Sequence, residues 1–572
     1  MFRKMLALAL IGLVMAGALA EGFREVETPV FREALTGETA PLRYYDDLPG
    51  VPCMGLNEFY RLMTGRALSV SVCDGVYAFA APGGATAEVD VGAGTLRSAD
   101  FTGFTNMMGG VAPGMDNQYL DAPAFVRPAG LECEGPAPVT LDFAKYEIPL
   151  HGEEGDVYLP VTTLSDVFTN LAYMYLSFNG ETLYVNADNR TDPAWERDAD
   201  YALPIYGRAD RDPGLAAYAY RELCFVMDHF YGFPGRAELN DDLAALGLDG
   251  ALQAHSDVSR RCRTLLMSEK LGEYALGSIL LSALLDDGGH TGLDFTELYT
   301  KNAAFADFAT DYYMAAEADA PDRSVLTGGH SRAARQNRLR QMRRDAWGSG
   351  HYAEKGDTAV IWFDSFMYDF DGWMAYYQGG PRPEGDMMAH VIDGLNRAAA
   401  NPEIRNVVLD VSCNPGGSAD MVVAIMSLIA GEEEFRTENL LTRCLETQHY
   451  RVDRNFDGVF DERDAAVRYD FRCGVLTSRL SFSCGNLLPS LMKDRGLAVL
   501  GETSGGGTCA VTVHATPEGL PYQISSALGR LINAAGETID EGVPVDVPIE
   551  EDRFYDIDLL SRAMNDFYGE RE

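Results

Sequence analysis

The strongest constraint on this chain is the pattern that begins at Thr358, where buried strands alternate with amphipathic helices. The predicted strands are 359–363, 407–411, 474–477 and 498–500, and the predicted helices are 387–399, 421–429 and 486–493. Parallel strands need crossover connections long enough to hold a helix, so this order predicts a parallel sheet covered by helices. We therefore predict an α/β domain over residues 345–572.

Two earlier regions have different patterns. Residues 21–195 carry a weak repeat, in which units 51–79 and 157–185 each read strand, helix and hairpin with an Asp-Gly or Asn-Gly turn. This predicts an N-terminal α+β accessory domain, either a spacer or folding module or a domain that binds substrate or cell wall. Residues 205–300 show helical periodicity and predict a helical subdomain. The basic run 332–344 is expected to be a solvated helix face.

The N-terminus and the charge bear on location and partners. Arg3 and Lys4 precede an apolar run at 6–19, and Ala18-Leu19-Ala20 fits a cleavage site, so residues 1–20 are predicted to be a signal peptide. An N-terminal membrane anchor is the alternative. We expect a secreted or cell-envelope protein with no membrane span after signal cleavage. The net charge of -40 argues against a nucleic-acid partner.

Two glycine-containing turns in the last domain carry the candidate chemistry. A buried strand ends in Asn414-Pro415-Gly416-Gly417, where glycines let backbone N–H groups face a ligand. The second turn, Ser481 to Asn486, opens a helix. A serine at a helix N-terminus is suited to nucleophilic attack, because the free N–H groups and the helix dipole stabilise negative charge. Ser483 and Ser481 are both candidates.

These two segments, followed by the Gly-Glu-Thr-Ser-Gly-Gly-Gly run at 501–507, resemble the tail-specific proteases. The resemblance implies a crotonase-like catalytic domain, a serine-type peptidase activity, a peptide or protein substrate and no organic cofactor. Family spacing, counted back from Asp494 and Gly496, implies that Ser483 is the nucleophile. It also implies that the oxyanion is held by backbone N–H groups of Gly416 or Gly417 and of Cys484.

One departure from the family concerns the general base. Many members use a Ser–Lys pair, but no lysine follows Lys493 here. The tricorn-type branch uses a histidine, and His290 in the glycine-rich loop 286–292 is similarly placed, with His514 as the alternative. A third residue should orient the base, and Asp540 or Glu541 is expected in that role. The family's usual PDZ domain has no counterpart in the polar stretch between His290 and Thr358.

A calcium loop is predicted independently of the fold. Residues 453–464 place acidic or amide side chains at loop positions 1, 3 and 5, glycine at 6 and a carboxylate at 12. The predicted ligands of a structural Ca²⁺ are Asp453, Asn455, Asp457, Val459 and Asp464. The flanks look like strands, so the site should stabilise an insertion near 450–466.

The sequence as a whole predicts a secreted serine-type endopeptidase that uses a Ser/His pair. Two alternatives stay open: a catalytically inactive peptide- or wall-binding protein on the same fold, and a hydrolase of non-peptidic esters or amides. Ten cysteines without a CxxC pair argue against a zinc ribbon, and their disulfide pairing is left open. The oligomeric state and the cleavage specificity are also left open.

Overall fold

The computed structural model describes most of the chain, namely residues 22–32, 35–105, 124–153, 155–169, 174–187, 203–232, 238–293, 296–308 and 328–569. The predicted signal peptide, residues 1–20, lies outside these ranges. Within them, no helix has the length and apolar character needed to cross a membrane.

The N-terminal region is built mainly from strands. They are β1 (Phe23–Phe31), β2 (Leu35–Tyr45), β3 (Cys53–Gly55), β4 (Ser69–Cys73), β5 (Val76–Ala80), β6 (Thr86–Asp90), β7 (Thr95–Ser98), β8 (Val126–Glu134), β9 (Val139–Asp142), β10 (His151–Glu153), β11 (Asp156–Pro160), β12 (Met174–Phe178) and β13 (Leu183–Ala187). Three short helices accompany them, α1 (Leu56–Thr64), α2 (Phe101–Thr105) and α3 (Val161–Phe168).

These strands form two sheets. The larger has the order β10-β11-β3-β2-β1-β13-β12, and the smaller has the order β4-β5-β6-β7-β9. The predicted repeat is confirmed, since β3-α1-β4-β5 and β11-α3-β12-β13 both read strand, helix and hairpin. The two hairpins belong to different sheets, so the copies are related in local structure but not in their place in the fold.

The helical region follows with α4 (Pro213–Phe230), α5 (Glu238–Ala254), α6 (Asp257–Leu266), α7 (Leu271–Leu285) and α8 (Thr296–Lys301). The sequence predicts one helical stretch over 253–285, but the structure breaks it twice. Ser256 causes the first break, because its side chain caps α6 in a reciprocal capping box with Ser259. Buried residues of these helices and of the N-terminal sheets form one hydrophobic core.

The last region contains β14 (Gly292–Leu293), β15 (Tyr352–Lys355), β16 (Thr358–Trp362), β17 (Asn406–Asp410), β18 (Glu434–Asn439), β19 (Cys444–Val452), β20 (Arg472–Thr477), β21 (Ala498–Gly501), β22 (Cys509–Ala515), β23 (Pro521–Ile532) and β24 (Val547–Pro548). Its helices are α9 (Gly328–Trp347), α10 (Phe370–Tyr377), α11 (Met387–Ala400), α12 (Ala419–Ala430), α13 (Cys484–Asp494) and α14 (Ile557–Gly569).

The predicted parallel sheet is confirmed, with the order β15-β16-β17-β20-β21-β24 and only the edge strand β15 antiparallel. Side chains of β17 alternate between two cores: Val407 and Leu409 face one, and Val408 faces the other. Helices α11, α12 and α13 cover the first face, and α9 and α14 cover the second. The assignment to a crotonase-like fold stays a prediction.

A second sheet in this region has the order β14-β23-β18-β19-β8, with β22 also paired to β23. Strand β8 comes from the segment predicted as the accessory domain, yet it pairs antiparallel with β19. A disulfide between Cys133 and Cys444 joins the same two strands. Neither the pairing nor the disulfide follows from local sequence pattern.

The basic run at 332–344 is only in part the solvated face that the sequence predicts, because Arg332, Arg338 and Arg344 are exposed whereas other arginines of the run are not. It lies in α9, where Arg343 is buried and binds Asp410 at 3.1 Å and Asp364 at 2.6 Å. Arg335 binds Glu502 at 2.6 Å. These ion pairs dock α9 on the parallel sheet, because a buried guanidinium needs carboxylate partners to offset its lost hydration.

Candidate active site

The fold brings the two glycine-containing turns together around Ser483. Ser483 is partly exposed at the N-terminus of α13, and its backbone has φ 55° and ψ −122°. Its N–H donates to the carbonyl of Gly506 at 2.8 Å, and the N–H of Phe482 donates to the carbonyl of Asn414 at 3.1 Å. The segments that carry the family resemblance are therefore hydrogen-bonded neighbours.

Backbone donors beside Ser483 form a candidate oxyanion site. A Cβ placed on Gly416, whose φ is 120°, would lie 2.7 Å from Cβ of Ser483, so only glycine fits there. The N–H of Gly416 already donates to Oδ1 of Asn414 at 2.9 Å. Within the described part of the chain, the N–H groups of Gly417 and Cys484 donate to no oxygen atom, and the backbone of Gly417 contacts the Cys484 thiol. Of the three candidates, Gly417 and Cys484 are thus the available donors.

The neighbours of Ser483 do not compete with it as nucleophiles. Ser481 is fully buried, and its hydroxyl donates to the carbonyl of Val411 at 2.7 Å while accepting from the N–H of Ser478 at 3.0 Å. Burial raises the pKa of the Cys484 thiol to about 12, so this thiol stays protonated at neutral pH. Ser481 therefore stabilises the turn through its hydrogen bonds, whereas Ser483 is the serine that is partly exposed to solvent.

His290 lies next to this turn. Its imidazole packs edge-on against the ring of Phe482, with 4.9 Å between ring centroids. Burial is the main influence on His290 and lowers its pKa, while the charges of Asp287 and Asp540 raise it and the charge of Arg332 lowers it. Nδ1 of His290 is buried and has no hydrogen-bond partner among the residues that the structure describes.

The loop that carries His290 has an irregular backbone. Asp286, Gly288 and Gly289 have φ values of 45°, 78° and 92°. The loop then enters β14, which pairs with β23 through Gly292 and Gln523. The ring of Phe482 occupies the space where a side chain on Gly288 would lie, which explains the glycine at that position.

The alternative base, His514, is placed elsewhere. It is fully buried in β22, and its Nδ1 is 2.8 Å from Oδ1 of Asp166 in α3. Its Nε2 is 3.0 Å from the hydroxyl of Thr512. Both ring nitrogens are therefore engaged, Nδ1 in a contact with the N-terminal region and Nε2 within β22, and His514 is not available to a substrate.

The two candidates for the third residue differ in burial. Asp540 is buried, its Oδ1 lies 3.3 Å from the hydroxyl of Thr508, and its charge acts on His290. Glu541 is exposed, and its contact is a backbone one, in which Arg479 donates to its carbonyl at 3.2 Å. The charge of Asp540 shifts the pKa of the histidine, whereas Glu541 is not among the groups that shift it. The sequence prediction omits Asp287, which also faces His290, although it stands only three residues before it.

The predicted calcium loop is closed by its own hydrogen bonds. Asp453 is fully buried, and its carboxylate accepts from the N–H of Gly458 at 2.7 Å and from the hydroxyl of Tyr377 at 2.9 Å. Asp457 forms an ion pair with Arg463 at 2.8 Å. Asp464 is buried, and its Oδ1 has no hydrogen-bond partner within the described ranges.

The ligand atoms of this loop are not gathered around one point. Among the described residues, the one group of three Cys, His, Asp or Glu ligand atoms within 4.8 Å of one another is Cys133, Cys444 and Glu446. Two of these are joined in the disulfide, so they offer no thiolate to a metal. The loop would have to contract before its carboxylates could share an ion.

Comparison with known proteins identifies the α/β region. Residues 359–549 match the model of Peptidase family S41. No curated protein matches the chain. Among solved structures, the photosystem II D1 C-terminal processing protease is 16% identical, with a TM-score of 0.25, over 34% of this chain and 42% of that protein.

Two further solved structures are similarly distant. A lipoprotein from Streptococcus agalactiae is 12% identical, with a TM-score of 0.34, over 64% of this chain and 100% of that one. The tricorn protease is 14% identical, with a TM-score of 0.24, over 41% of this chain and 19% of that one. The chain thus spans less than half of the processing protease, and likenesses this weak identify no substrate.

Proposed function

Because residues 359–549 form a Peptidase family S41 domain, which is a serine-type peptidase domain, we propose that this protein cleaves peptide bonds with Ser483 as nucleophile and His290 as general base. The observation that carries the proposal is the contact of the His290 ring with Phe482, the residue before Ser483. No lysine follows Lys493, so a lysine from this part of the chain cannot serve as base.

The geometry supports a stepwise mechanism. Nε2 of His290 accepts the hydroxyl proton of Ser483 as Oγ attacks the substrate carbonyl, because Nδ1 is the buried nitrogen. The N–H groups of Gly417 and Cys484 then stabilise the oxyanion of the tetrahedral intermediate. His290 returns the proton to the leaving amine, and water hydrolyses the acyl-enzyme by the same route. The nearby charge of Asp540 stabilises the protonated imidazole.

Two features support export as part of the proposal. Residues 1–20 have the charge, apolar run and small-residue motif of a signal peptide. Cys133 and Cys444 form a disulfide, and disulfides persist mainly in oxidising compartments. We expect a peptide or protein substrate outside the cytoplasm. The likeness to tricorn-type enzymes rests on His290 and the C-terminal acidic residue.

We also propose that residues 453–464 bind a structural Ca²⁺. Carboxylate and amide oxygens are the ligands that calcium prefers. The pKa of Asp453 is raised first by burial and also by the charge of Asp464, so a cation between these two carboxylates would relieve their repulsion. The unpartnered Oδ1 of Asp464 offers a further ligand atom.

A fluorophosphonate probe tests the peptidase proposal, because it labels activated serines. We expect labelling of the purified protein and complete loss of labelling in Ser483→Ala. Ser481→Ala is the matched control: it removes a buried hydroxyl, so it should lower stability by about 1 kcal/mol and keep the labelling.

Three results would change the assignment. No labelling of the folded wild-type protein would favour the inactive binding protein. Labelling that survives Ser483→Ala and is lost in Ser481→Ala would move the nucleophile to Ser481. Labelling without hydrolysis of a denatured protein substrate such as casein, but with hydrolysis of small esters, would favour the non-peptidic hydrolase.

A further inference from the structure

Asp287 occupies a central position in the loop that carries His290. It is buried, and its Oδ1 accepts from the N–H of Thr291, the residue after the histidine, at 3.2 Å. One carboxylate therefore closes the turn from position 287 to position 291. This hydrogen bond restrains the turn, in which Gly288 and Gly289 both have positive φ and give the backbone little rigidity of their own.

The same carboxylate connects this turn to other elements. Its Oδ2 accepts from the hydroxyl of Ser525 in β23 at 3.0 Å. Tyr231, at the end of α4, lies near enough to feel the charge of Asp287: its pKa is raised well above its usual value, first by burial and then by that charge. Asp287 thus fixes the His290 loop to β23, and its charge also acts on the residue at the end of α4.

The charge of Asp287 acts on the imidazole itself. Four groups face His290: Asp287 from its own loop, Asp540 from the segment after β23, Arg332 from α9, and the uncharged ring of Phe482 from the nucleophile turn. Burial lowers the pKa of His290, and Asp287 gives the largest opposing effect, ahead of Asp540. A negative charge near a buried imidazole stabilises the protonated state that forms during acyl transfer.

We propose that Asp287 is a positioning residue for His290, which holds the turn that carries the imidazole and places a carboxylate beside it. The proposal rests on the proposed function of His290. In this proposal two carboxylates share the role of the residue that orients the histidine base. Asp540 comes from the C-terminal segment, and Asp287 comes from the histidine loop.

The test uses the full-length protein with Asp287→Asn, and Asp286→Asn as the matched control. Asp286 is the exposed neighbour with φ 45°, a conformation that asparagine tolerates well. In Asp287→Asn we expect the maximal rate of fluorophosphonate labelling to fall at least ~10-fold. The pH midpoint of labelling should shift downward, because a charge that raises the pKa of His290 is removed. Asp286→Asn should change neither quantity.

A second measurement does not depend on activity. The pKa of His290 is read from the ¹³Cε1 resonance of labelled histidine, assigned by its absence in His290→Ala, and should be lower in Asp287→Asn. Should that variant fail to fold, Ser525→Ala, which removes one donor to Asp287, replaces it and should show a smaller loss of rate. An unchanged labelling rate, midpoint and His290 pKa in an active protein would overturn the inference. A protein that never labels would refute the proposed function, and the His290 titration would still decide the inference.

Discussion

Ser483 has a backbone conformation that serine rarely adopts. With φ 55° and ψ −122°, it lies outside the regions favoured by residues with a Cβ, and such strain costs roughly 1–3 kcal/mol. Hydrogen bonds hold it on both sides: its N–H donates to Gly506, and its carbonyl accepts from Asn486 and Leu487. The strain leaves the side chain at the helix start, beside the candidate oxyanion donors.

The pKa of His290 predicts the pH dependence of serine activation. Burial lowers this pKa below the ordinary value of ~6.5, and a histidine base must be neutral to accept a proton. We therefore expect the labelling rate to rise with pH through a midpoint below ~6.5 and then to stay high. This midpoint is lower than the midpoint expected for a histidine with an unperturbed pKa. The measurement is the rate of fluorophosphonate labelling between pH 4 and pH 9.

The controls for this profile are two histidine variants. His290→Ala should lose most of the rate at every pH, whereas His255→Ala, which alters a histidine paired with Asp242 in the helical region, should leave the profile unchanged. Wild-type labelling in His290→Ala would contradict the assignment of the base. A midpoint well above the ordinary histidine value would contradict the role of burial.

Short motifs, together with the resemblance to the tail-specific proteases, were sufficient to propose Ser483, His290, Asp540 and the glycine turns. They were insufficient for Asp287 and Phe482, since their roles depend on contacts between segments far apart in sequence. The sequence also did not distinguish Glu541 from Asp540 as the residue that orients the histidine. Burial separates them, and burial is a property of the folded chain.

At the scale of elements, α9 shows how periodicity alone can mislead. Its arginines alternate with few apolar residues, which is typical of a solvated helix. In the structure Arg343 meets the carboxylate of Asp410 at the end of β17, and Gln336 donates to the carbonyl of Cys413 at 2.9 Å. The helix therefore supports the strand that leads into Asn414 and the glycine turn. Partners so far away in sequence cannot be identified from the helix itself.

The loop at 453–464 gives a prediction at the same scale. We expect Ca²⁺ to raise the melting temperature of the protein, because an ion that binds only the folded state stabilises it by mass action. At a calcium concentration 100 times Kd the gain would be about 2.7 kcal/mol. Differential scanning fluorimetry with chelator and with added calcium measures it.

Variants of the loop make this test specific. Asp453→Asn with Asp464→Asn should abolish the response to calcium, because these are the buried carboxylates. Glu462→Gln is the matched control, since Glu462 is exposed and stands at a loop position that supplies no ligand. Equal melting temperatures with chelator and with excess calcium in the wild-type protein would reject the site.

At the scale of the whole molecule, the N-terminal and catalytic regions are joined more closely than the sequence suggests. β8 completes the sheet that contains β19, and His514 in β22 contacts Asp166 in α3. Sequence pattern predicts a strand-rich, a helical and an α/β region. It does not identify these links, because the local sequence around each of these residues does not specify which distant segment it contacts.

The disulfide between Cys133 and Cys444 makes a prediction at this scale. Cys133→Ser should lower the stability of the catalytic region by about 2–5 kcal/mol, because the cross-link closes a long loop. Thermal unfolding with and without reductant measures the effect. Cys73→Ser is the matched control, since Cys73 is an exposed free thiol. Two free thiols at 133 and 444 in the oxidised protein, found by peptide mapping, would contradict the pairing.

The position of β8 has a consequence for the order in which the protein can fold. Cys133 precedes its partner Cys444 by 311 residues, so at ~5–20 residues per second the ribosome makes the two strands roughly 15–60 s apart. During that interval β8 has no partner strand, and Cys133 has no disulfide partner. Contacts this distant also raise the contact order, which slows folding. If the chain folds as it is made, β8 therefore stays unpaired until the later strand arrives.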